Sequence, residues 1–341
     1  MAVIAFGAVG ASPSGDIAGY GGTTQGQLLE FLRAFGHTLV EPGDPAATHY
    51  LALDHNRSTL ATVRQIVPPG RRVLAVFEPR VVIPSNYHRG THREYGTVIS
   101  MTPALRVGAE PGFLPWPQRD WRARPPGVAA RVPGMTALIN ANKISVIHGS
   151  LYGLRRRVIE AFASEGQQLT LAGSNWLRRG RPVLVENLRA LAYAMLNRER
   201  VSVSEFAHAL RLSSSIDHAG IVEDKDGVLL GSEFAVVIEN DANYISEKLF
   251  DAIICGCVPL FFGPDLEQFG IPKGVVLRMP PSAHAFPHAA RSTPGAERAE
   301  VLRAGREWLA RDETWQKWAM PNALQRLAGA IDVATRRPSI P

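Results

Sequence analysis

The chain has 341 residues and a formal net charge of +6. Hydrophobic residues make up 45% of it and charged residues 20%, which is typical of a globular protein and excludes a largely disordered chain. No stretch approaches the roughly 18 consecutive apolar residues of a membrane-spanning helix. Two cysteines exclude a disulfide framework. We expect two domains and, because the N-terminus lacks a basic signal-peptide region, a cytoplasmic location.

The excess of positive charge is compatible with several anionic partners. Its arginine clusters, at 155–157 and 178–181, have no interleaved aromatic residues and match no nucleic-acid-binding motif. We therefore favour an anionic small molecule over nucleic acid as the partner. Trp315, Lys317 and Trp318 stand close together and suggest a weak peripheral contact with a membrane.

The first half of the chain alternates between apolar strands and amphipathic helices. The predicted elements are strand Ala2–Phe6, helix Thr24–Phe35, strands Thr38–Val40 and Tyr50–Leu53, helix Thr59–Ile66, and strands Arg72–Phe77 and Thr97–Met101. This order predicts a doubly wound α/β sheet.

A stretch rich in proline and glycine, Pro111–Gly134, separates the two halves and predicts a linker, with domains at 1–135 and 136–341. The predicted elements of the second half are strand Lys143–His148, helix Leu151–Ser164, strand Gln168–Leu171, helices Val185–Leu196, Val203–Leu210 and Ala296–Ala310, and a helical segment Thr314–Ala330 interrupted at Pro321. The helix Ala296–Ala310 and the segment Thr314–Ala330 are the closing C-terminal helices of the second domain.

The most informative stretch, 234–272, predicts a strand, a polar loop, a helix and a second strand. In open parallel sheets, ligands bind beyond the carboxyl ends of strands, and free amides at a helix start favour phosphate. Lys248 adds a positive charge in the first helical turn, and Glu247 can accept hydrogen bonds from ribose hydroxyls. The local chemistry indicates a nucleotide.

The same stretch reads FAVVIENDANYISEKLFDAIICGCVP, and it resembles the hallmark of the α-1,3-fucosyltransferases of glycosyltransferase family 10. The ordered match comprises E-N, Y-I-x-E-K and V-P. It departs from the family at four positions: Ile238 for Phe, Asp241 for Ser, Asn243 for Asp and Ser246 for Thr. The alternative interpretation is a generic βαβ unit with a capped helix.

The resemblance implies a GT-B fold, with two Rossmann-like domains facing across a cleft, and an inverting transfer of L-fucose from GDP-fucose. It is strong over Glu233–Pro272, moderate over Asn142–Gly173 and weak over Leu74–Asn86. The family implies an acceptor-side N-terminal domain, a nucleotide-sugar-binding C-terminal domain and no essential divalent metal. The acceptor stays open between a glycan, a lipid-linked oligosaccharide and a small molecule.

For the donor, the resemblance implies that Lys248 and Arg155 hold the diphosphate and that Glu247 binds the ribose. The side chains implied to line the pocket for the sugar and phosphates are Glu239, Asn240 and Tyr244. Arg156 and Arg157 remain alternatives to Arg155, because three consecutive helical residues point in different directions. A solvated basic helix start is the structural alternative for all three arginines.

The third matching segment is Phe77-Glu78-Pro79, after a predicted strand. In the family, an acidic residue at such a point is the proposed general base, and the resemblance gives that role to Glu78. An inverting sugar transfer needs a carboxylate that takes the proton of the acceptor hydroxyl. A glutamate in an ordinary strand-end turn is the alternative.

Weaker features leave other interpretations open. Asp224-Lys225-Asp226 has the form of a metal-binding D-x-D, but the following Gly227 favours a hairpin turn. A glycine-rich stretch, 19–22, predicts an acceptor-side loop, and the pair at 217–218, Asp-His, has no predicted place. Other hypotheses are a transferase with a different nucleotide sugar, a nucleotide-binding protein without catalysis, and a basic nucleic-acid-binding protein.

Overall fold

A computed structural model describes residues 1–8, 24–100, 102, 114–127, 130–176, 181–209, 220–222 and 224–336. The chain divides into two units, the first formed by Met1–Gln118 with Gln316–Pro341 and the second by Arg119–Trp315. This division differs from the predicted domains 1–135 and 136–341 in two respects: the first crossing lies after Gln118, and the chain returns to the first unit at Gln316. The glycine-rich loop at 19–22 and the Asp-His pair at 217–218 lie outside the described residues.

Most of the predicted elements are confirmed. The strands are β1 (Val3–Ala8), β2 (Thr38–Val40), β3 (His49–Leu53), β4 (Arg72–Val76), β5 (Thr97–Ser100), β6 (Val132–Ile139), β7 (Leu169–Ala172), β8 (Ser232–Ile238), β9 (Val258–Phe262) and β10 (Leu277–Arg278). The helices are α1 (Thr24–Ala34), α2 (Arg57–Val63), α3 (Arg89–His92), α4 (Tyr152–Ser164), α5 (Arg181–Leu196), α6 (Val203–Ala209), α7 (Lys225–Leu230), α8 (Glu247–Ile254), α9 (Ala285–Ser292), α10 (Gly295–Ala310), α11 (Asp312–Trp318) and α12 (Met320–Arg336).

The sheet of the first unit is parallel, with described strands in the order β2-β1-β3-β4-β5. One face is covered by α1 and α12, where Leu28 and Leu327 pack against Phe6 in a buried cluster. The other face is covered by α2, where Leu60 packs in a cluster with Tyr50. Helices on both faces explain why the strands are apolar along their whole length rather than alternating.

The sheet of the second unit repeats this arrangement, with parallel described strands in the order β10-β9-β8-β6-β7. On one face, Leu154 of α4 and Phe286 of α9 pack against Phe234 in a buried cluster. The strand order reverses between β6 and β8. The carboxyl ends of those two strands therefore flank the topological switch point of the sheet.

The first strand of the second unit is the main error of the sequence-based prediction. Residues 143–148 form no strand and contribute only an isolated bridge between Ile147 and Val201. The strand is instead β6, whose first residues include Pro133 and Gly134 and therefore looked like linker. Proline is tolerated at the start of a strand, and the β6–β8 register shifts between Val132 and Thr136, just where these residues stand.

The C-terminal helical segment is interrupted close to the predicted position, since α11 ends at Trp318 and α12 begins at Met320. Pro321 itself stands in the first turn of α12, where its missing amide costs no helical hydrogen bond. Of the helices described, none combines the length and apolar character that crossing a bilayer requires.

Candidate functional site

The switch point of the second sheet gathers polar side chains. Asn140 follows β6 and Glu239 follows β8, and both are buried. Neither amide atom of the Asn140 side chain has a hydrogen-bond partner among the described residues, and the same holds for Oε2 of Glu239. A buried polar atom without a partner is costly, so two such residues at one sheet edge indicate groups that a ligand can satisfy. Asn140 was not among the residues predicted from the sequence.

Glu239 is fixed by its other oxygen. Its Oε1 accepts the Ser246 amide at 2.9 Å, which ties the end of β8 to the start of α8. Burial raises the pKa of Glu239, and the nearby positive charge of Lys248 opposes that rise. Gly263 lies against the side chain so closely that a Cβ there would stand 2.9 Å from Glu239 Cγ. The carboxyl group is therefore held rigidly, with one oxygen still available.

The start of α8 places Lys248 beside Glu239. Ser246 is the N-cap residue, and its hydroxyl accepts from the Lys248 amide at 3.4 Å and from Lys248 Nζ at 3.0 Å. Lys248 Nζ is also 3.4 Å from Glu247 Oε1. Burial acts to raise the pKa of Glu247, but Lys248 reverses this and the pKa is lowered. A lysine and the positive amino end of a helix thus lie together, an arrangement suited to anions.

Arg155 is more deeply placed than the sequence suggested. The residue is buried, and its Nε and Nη2 donate to the Ile238 carbonyl at 3.0 and 2.6 Å, while Nη2 also reaches Asn240 Oδ1 at 2.9 Å. Its guanidinium lies 4.8 Å from the centre of the Tyr152 ring. Burial lowers the pKa of Arg155. The structure therefore joins Arg155 to the loop after β8, in which Tyr244 is also buried.

The other two arginines of the cluster contact a different carboxylate. Arg156 is buried and Arg157 is partly exposed, and each has a guanidinium nitrogen 3.9 Å from Glu205. Glu205 also accepts the Gly153 amide at 2.6 Å, so it occupies the amino end of α4. Of the three arginines, only Arg155 has a described contact with the β8 loop. Glu205 could not be found from the sequence, because it lies on α6, some fifty residues away.

A small pocket opens beside Lys248, on the face of the sheet that carries Ala235 and Val237. Helices α7 and α8 form its walls. Its lining residues are Ala137, Ile139, Lys225, Leu229, Ala235, Val236, Val237, Glu247, Lys248 and Asp251. Asp251 has a pKa raised to about 6, chiefly because of burial, with Arg119 opposing the rise. The pocket combines an apolar floor with charged walls, as small-molecule sites do.

The D-x-D sequence is structural, but it does not form the hairpin turn that was expected. Asp224 is the N-cap of α7 and accepts the Gly227 amide at 3.0 Å. Asp226 pairs with Arg119 at 2.6 Å. Within the described ranges, no cluster of three or more His, Cys, Asp or Glu side chains has an arrangement suited to a metal ion.

In the first unit, Glu78 lies just beyond the carboxyl end of β4, as predicted, and is half-buried. Its amide donates to Asp54 Oδ1 at 3.0 Å, and the Tyr87 hydroxyl donates to its carbonyl at 3.3 Å. The same Asp54 oxygen accepts the Phe77 amide at 2.8 Å and Asn86 Nδ2 at 2.7 Å. A single buried carboxylate thus fixes the turn that presents Glu78.

Asp54 was missed by the sequence-based prediction. It has a φ of 61°, an uncommon backbone conformation for a residue other than glycine, and such outliers cluster at functional sites. Burial raises its pKa to about 6, despite the two backbone amides that favour the charged form. The neighbouring His55 has a pKa lowered to about 4, mainly by burial. An Asp-His pair directly after a buried strand was the only sequence signal available.

Replacing Asp54 by alanine is expected to destabilise the protein by about 3 kcal/mol or more, because three donors lose their acceptor. Asparagine should be tolerated, since it retains Oδ1 and adopts positive φ more readily than alanine does. A raised pKa means that the folded state binds the proton more tightly than the unfolded state. The contribution of Asp54 to stability is therefore present below about pH 4 and is lost as the pH rises through 6.

Calorimetric melting of the wild type, Asp54→Ala and Asp54→Asn at pH 4.5 and 7 tests the stability and the pH predictions for Asp54. The Tm of the wild type minus the Tm of Asp54→Asn should be smaller at pH 7 than at pH 4.5. Equal Tm values for the alanine variant and the wild type would contradict the assigned role of Asp54.

No family model matches the chain, and no curated protein sequence matches it significantly. Its fold is similar to that of Anabaena HepE solved with UDP and glucose, with a TM-score of 0.56 at 11% identity, covering 98% of this chain and 100% of the other. An α-glucosyltransferase in complex with UDP and a 13-mer DNA gives a TM-score of 0.54 at 10% identity, with coverages of 98% and 100%. An α1,3-fucosyltransferase with GDP gives 0.47 at 11% identity, with coverages of 98% and 93%.

These neighbours are GT-B glycosyltransferases, and the chain has the GT-B fold, with its two parallel five-stranded sheets and flanking helices. The fucosyltransferase likeness is too low to support membership of family 10. The expectation that nucleic acid is not a partner finds no support here either, since one neighbour was solved with DNA.

Proposed function

We propose that the protein is an inverting glycosyltransferase that takes its sugar from a nucleotide donor, with GDP-fucose as the first candidate. The observation that carries the proposal is the edge of the second sheet, where Lys248, the first turn of α8 and the unpartnered oxygen of Glu239 lie together. This edge offers a lysine and a helix amino end for phosphates, and a buried acceptor for a hydroxyl group.

Lys248 neutralises the negative charge that grows on the leaving nucleoside diphosphate as the glycosidic bond breaks. A fixed ammonium group serves here as a metal ion does in other transferases, so we propose that no divalent metal is essential. Glu247, beside it and kept ionised by its lowered pKa, accepts hydrogen bonds from ribose hydroxyls. Glu239 and Asn240 contact the sugar and the phosphates, and Tyr244 packs behind them.

Arg155 supports this site in a different manner from Lys248. Three donor contacts of its guanidinium hold the Ile238 carbonyl and the Asn240 side chain. We propose that Arg155 positions the loop and adds positive potential to the diphosphate subsite. A permanently charged, planar donor group suits both tasks.

Glu78 is the proposed general base of the first unit. It removes the proton of the acceptor hydroxyl as the oxygen attacks the anomeric carbon, and the nucleoside diphosphate leaves with the bonding electron pair. Asp54 holds the Glu78 backbone, and the negative charge of Glu78 adds to the rise in the pKa of Asp54 that burial causes.

A thermal-shift panel with GDP, GDP-fucose, GDP-mannose, UDP-sugars and CMP-sugars, each with and without EDTA, tests the proposal. A ligand at about one hundred times its dissociation constant adds roughly 2.7 kcal/mol to apparent stability, enough to detect. We expect stabilisation by GDP and GDP-fucose that EDTA does not change. The absence of a shift with every nucleotide would contradict the proposal.

A second candidate is transfer from a UDP-sugar, in which case the acceptor can be DNA. Of the three neighbours reported above, the two with TM-scores of 0.56 and 0.54 contain UDP, and one of them also contains DNA. The motif departures at Asp241 and Asn243 fall in the loop after β8, and the departure at Ile238 is the last residue of that strand. All three are compatible with a changed donor. A shift with UDP alone would select this candidate, and salt-dependent retention on a DNA column would add the acceptor.

A further inference from the structure

Helix α5 of the second unit is exposed on the side where it is most apolar. Its half-buried and buried side includes Asn187, which is fully buried and donates to the Val183 carbonyl at 3.1 Å. Its exposed side carries most of the large apolar residues. Those more than a third exposed are Leu184, Val185, Leu188, Tyr193, Met195 and Leu196. An amphipathic helix of a globular protein normally shows the reverse distribution.

Five of these six residues form one continuous surface. With 3.6 residues per turn, Leu184, Leu188 and Met195 fall within about 40° around the helix axis, and the apolar arc extends to about 120° at Leu196. Tyr193 stands outside the arc, beyond the exposed Arg189. The exposure reaches 65% for Met195 and 84% for Leu196. Single exposed apolar residues are ordinary, but a contiguous patch of this kind marks an interaction surface.

The exposed charged residues on α5 and directly after it are all positive. Arg189, Arg198 and Arg200 are exposed, whereas Glu199 is buried and Glu186 is half-buried. An exposed apolar helix face with arginines at its side and end has both parts that contact with an anionic bilayer uses, apolar area for the headgroup boundary and positive charge for the lipid phosphates. Each basic residue near such a surface adds electrostatic attraction to the anionic lipids.

We infer that α5 binds the surface of an anionic lipid bilayer, with its apolar arc in the headgroup region and its arginines on the lipid phosphates. A second copy of the chain fits the surface less well. A two-fold pairing of α5 with itself through the apolar arc would bring Arg189 of one copy towards Arg189 of the other, with no exposed acid on the helix to compensate. The two tryptophans from which a membrane contact was predicted offer little surface for it, since Trp318 is 1% exposed and Trp315 is half-buried.

Flotation of the full chain with vesicles tests the inference. We expect binding to vesicles with about one quarter phosphatidylglycerol, and much weaker binding to pure phosphatidylcholine or at high salt. Leu188→Asp should reduce the bound fraction at least about tenfold, because a charge enters the apolar arc. Val333→Asp, at an equally exposed apolar position of α12, is the matched control and should bind normally.

Arg189→Ala combined with Arg198→Ala should weaken binding to the anionic vesicles alone. Failure of the wild type to float, or equal losses in Leu188→Asp and Val333→Asp, would overturn the inference. A dimer mass for the wild type and a monomer mass for Leu188→Asp, both measured by light scattering, would also overturn the inference, in favour of self-association. The result is independent of the donor, since no α5 residue belongs to the proposed nucleotide site.

Discussion

Lys248→Ala is expected to lower the rate of sugar transfer by about 100-fold or more while leaving the fold intact. The Lys248 ammonium group lies at the first turn of α8 and is held by the Ser246 hydroxyl at 3.0 Å. Removing one preorganised electrostatic donor from a catalytic site typically lowers the rate by about 10² to 10³. The side chain is 20% exposed and fills no core position, so its loss should have little effect on unfolding.

The measurement is steady-state transfer, with calorimetric melting and GDP titration in parallel. Lys273→Ala is the matched control, because Lys273 also lies in the second unit and forms only an exposed ion pair with Glu267. We expect weaker GDP binding and a much lower kcat for Lys248→Ala, and wild-type values for the control. Full activity in Lys248→Ala would remove Lys248 from the mechanism.

Glu78→Gln is expected to abolish most of the transfer but leave donor binding unchanged. General-base catalysis typically contributes about 10² to 10⁴ in rate, and an amide cannot take up the acceptor proton. Glutamine has nearly the same shape, and the backbone bond from residue 78 to Asp54 does not depend on the side chain. The fold of the first unit should therefore be retained.

Comparing kcat and the GDP-induced thermal shift in the same variant separates base catalysis from binding. Glu30→Gln, on the exposed side of α1, controls for the change in net charge. A variant that transfers sugar at the wild-type rate would assign Glu78 to an ordinary turn.

Local patterns were enough to predict most of the fold. The strand at 258–262 was predicted from an apolar run bounded by glycine, because burial on both faces of a sheet imposes such runs. The helix that follows the polar loop was predicted from its apolar face. The strand β6 was not, because Pro133 and Gly134 carry a strong local signal for a turn. Tertiary pairing with β8 overrides that signal, and a single sequence does not reveal such pairing.

The candidate site was predictable only in part, for a similar reason. Glu239 and Lys248 are nine residues apart and belong to one motif, so the sequence brings them together. Asp54 and Glu78 come from different strands, and only the parallel register of β3 and β4 makes them neighbours. The contact between Glu205 and the start of α4 likewise depends on packing between distant helices.

Hydrogen–deuterium exchange of the full chain, with and without GDP-fucose, tests the central claim most directly. If the donor lies at the edge of the second sheet, it should slow exchange in peptides that cover 239–248 and the residues after β6. The first sheet should change less. Donor binding that protects only the first unit, or that leaves 239–248 unchanged, would contradict the account.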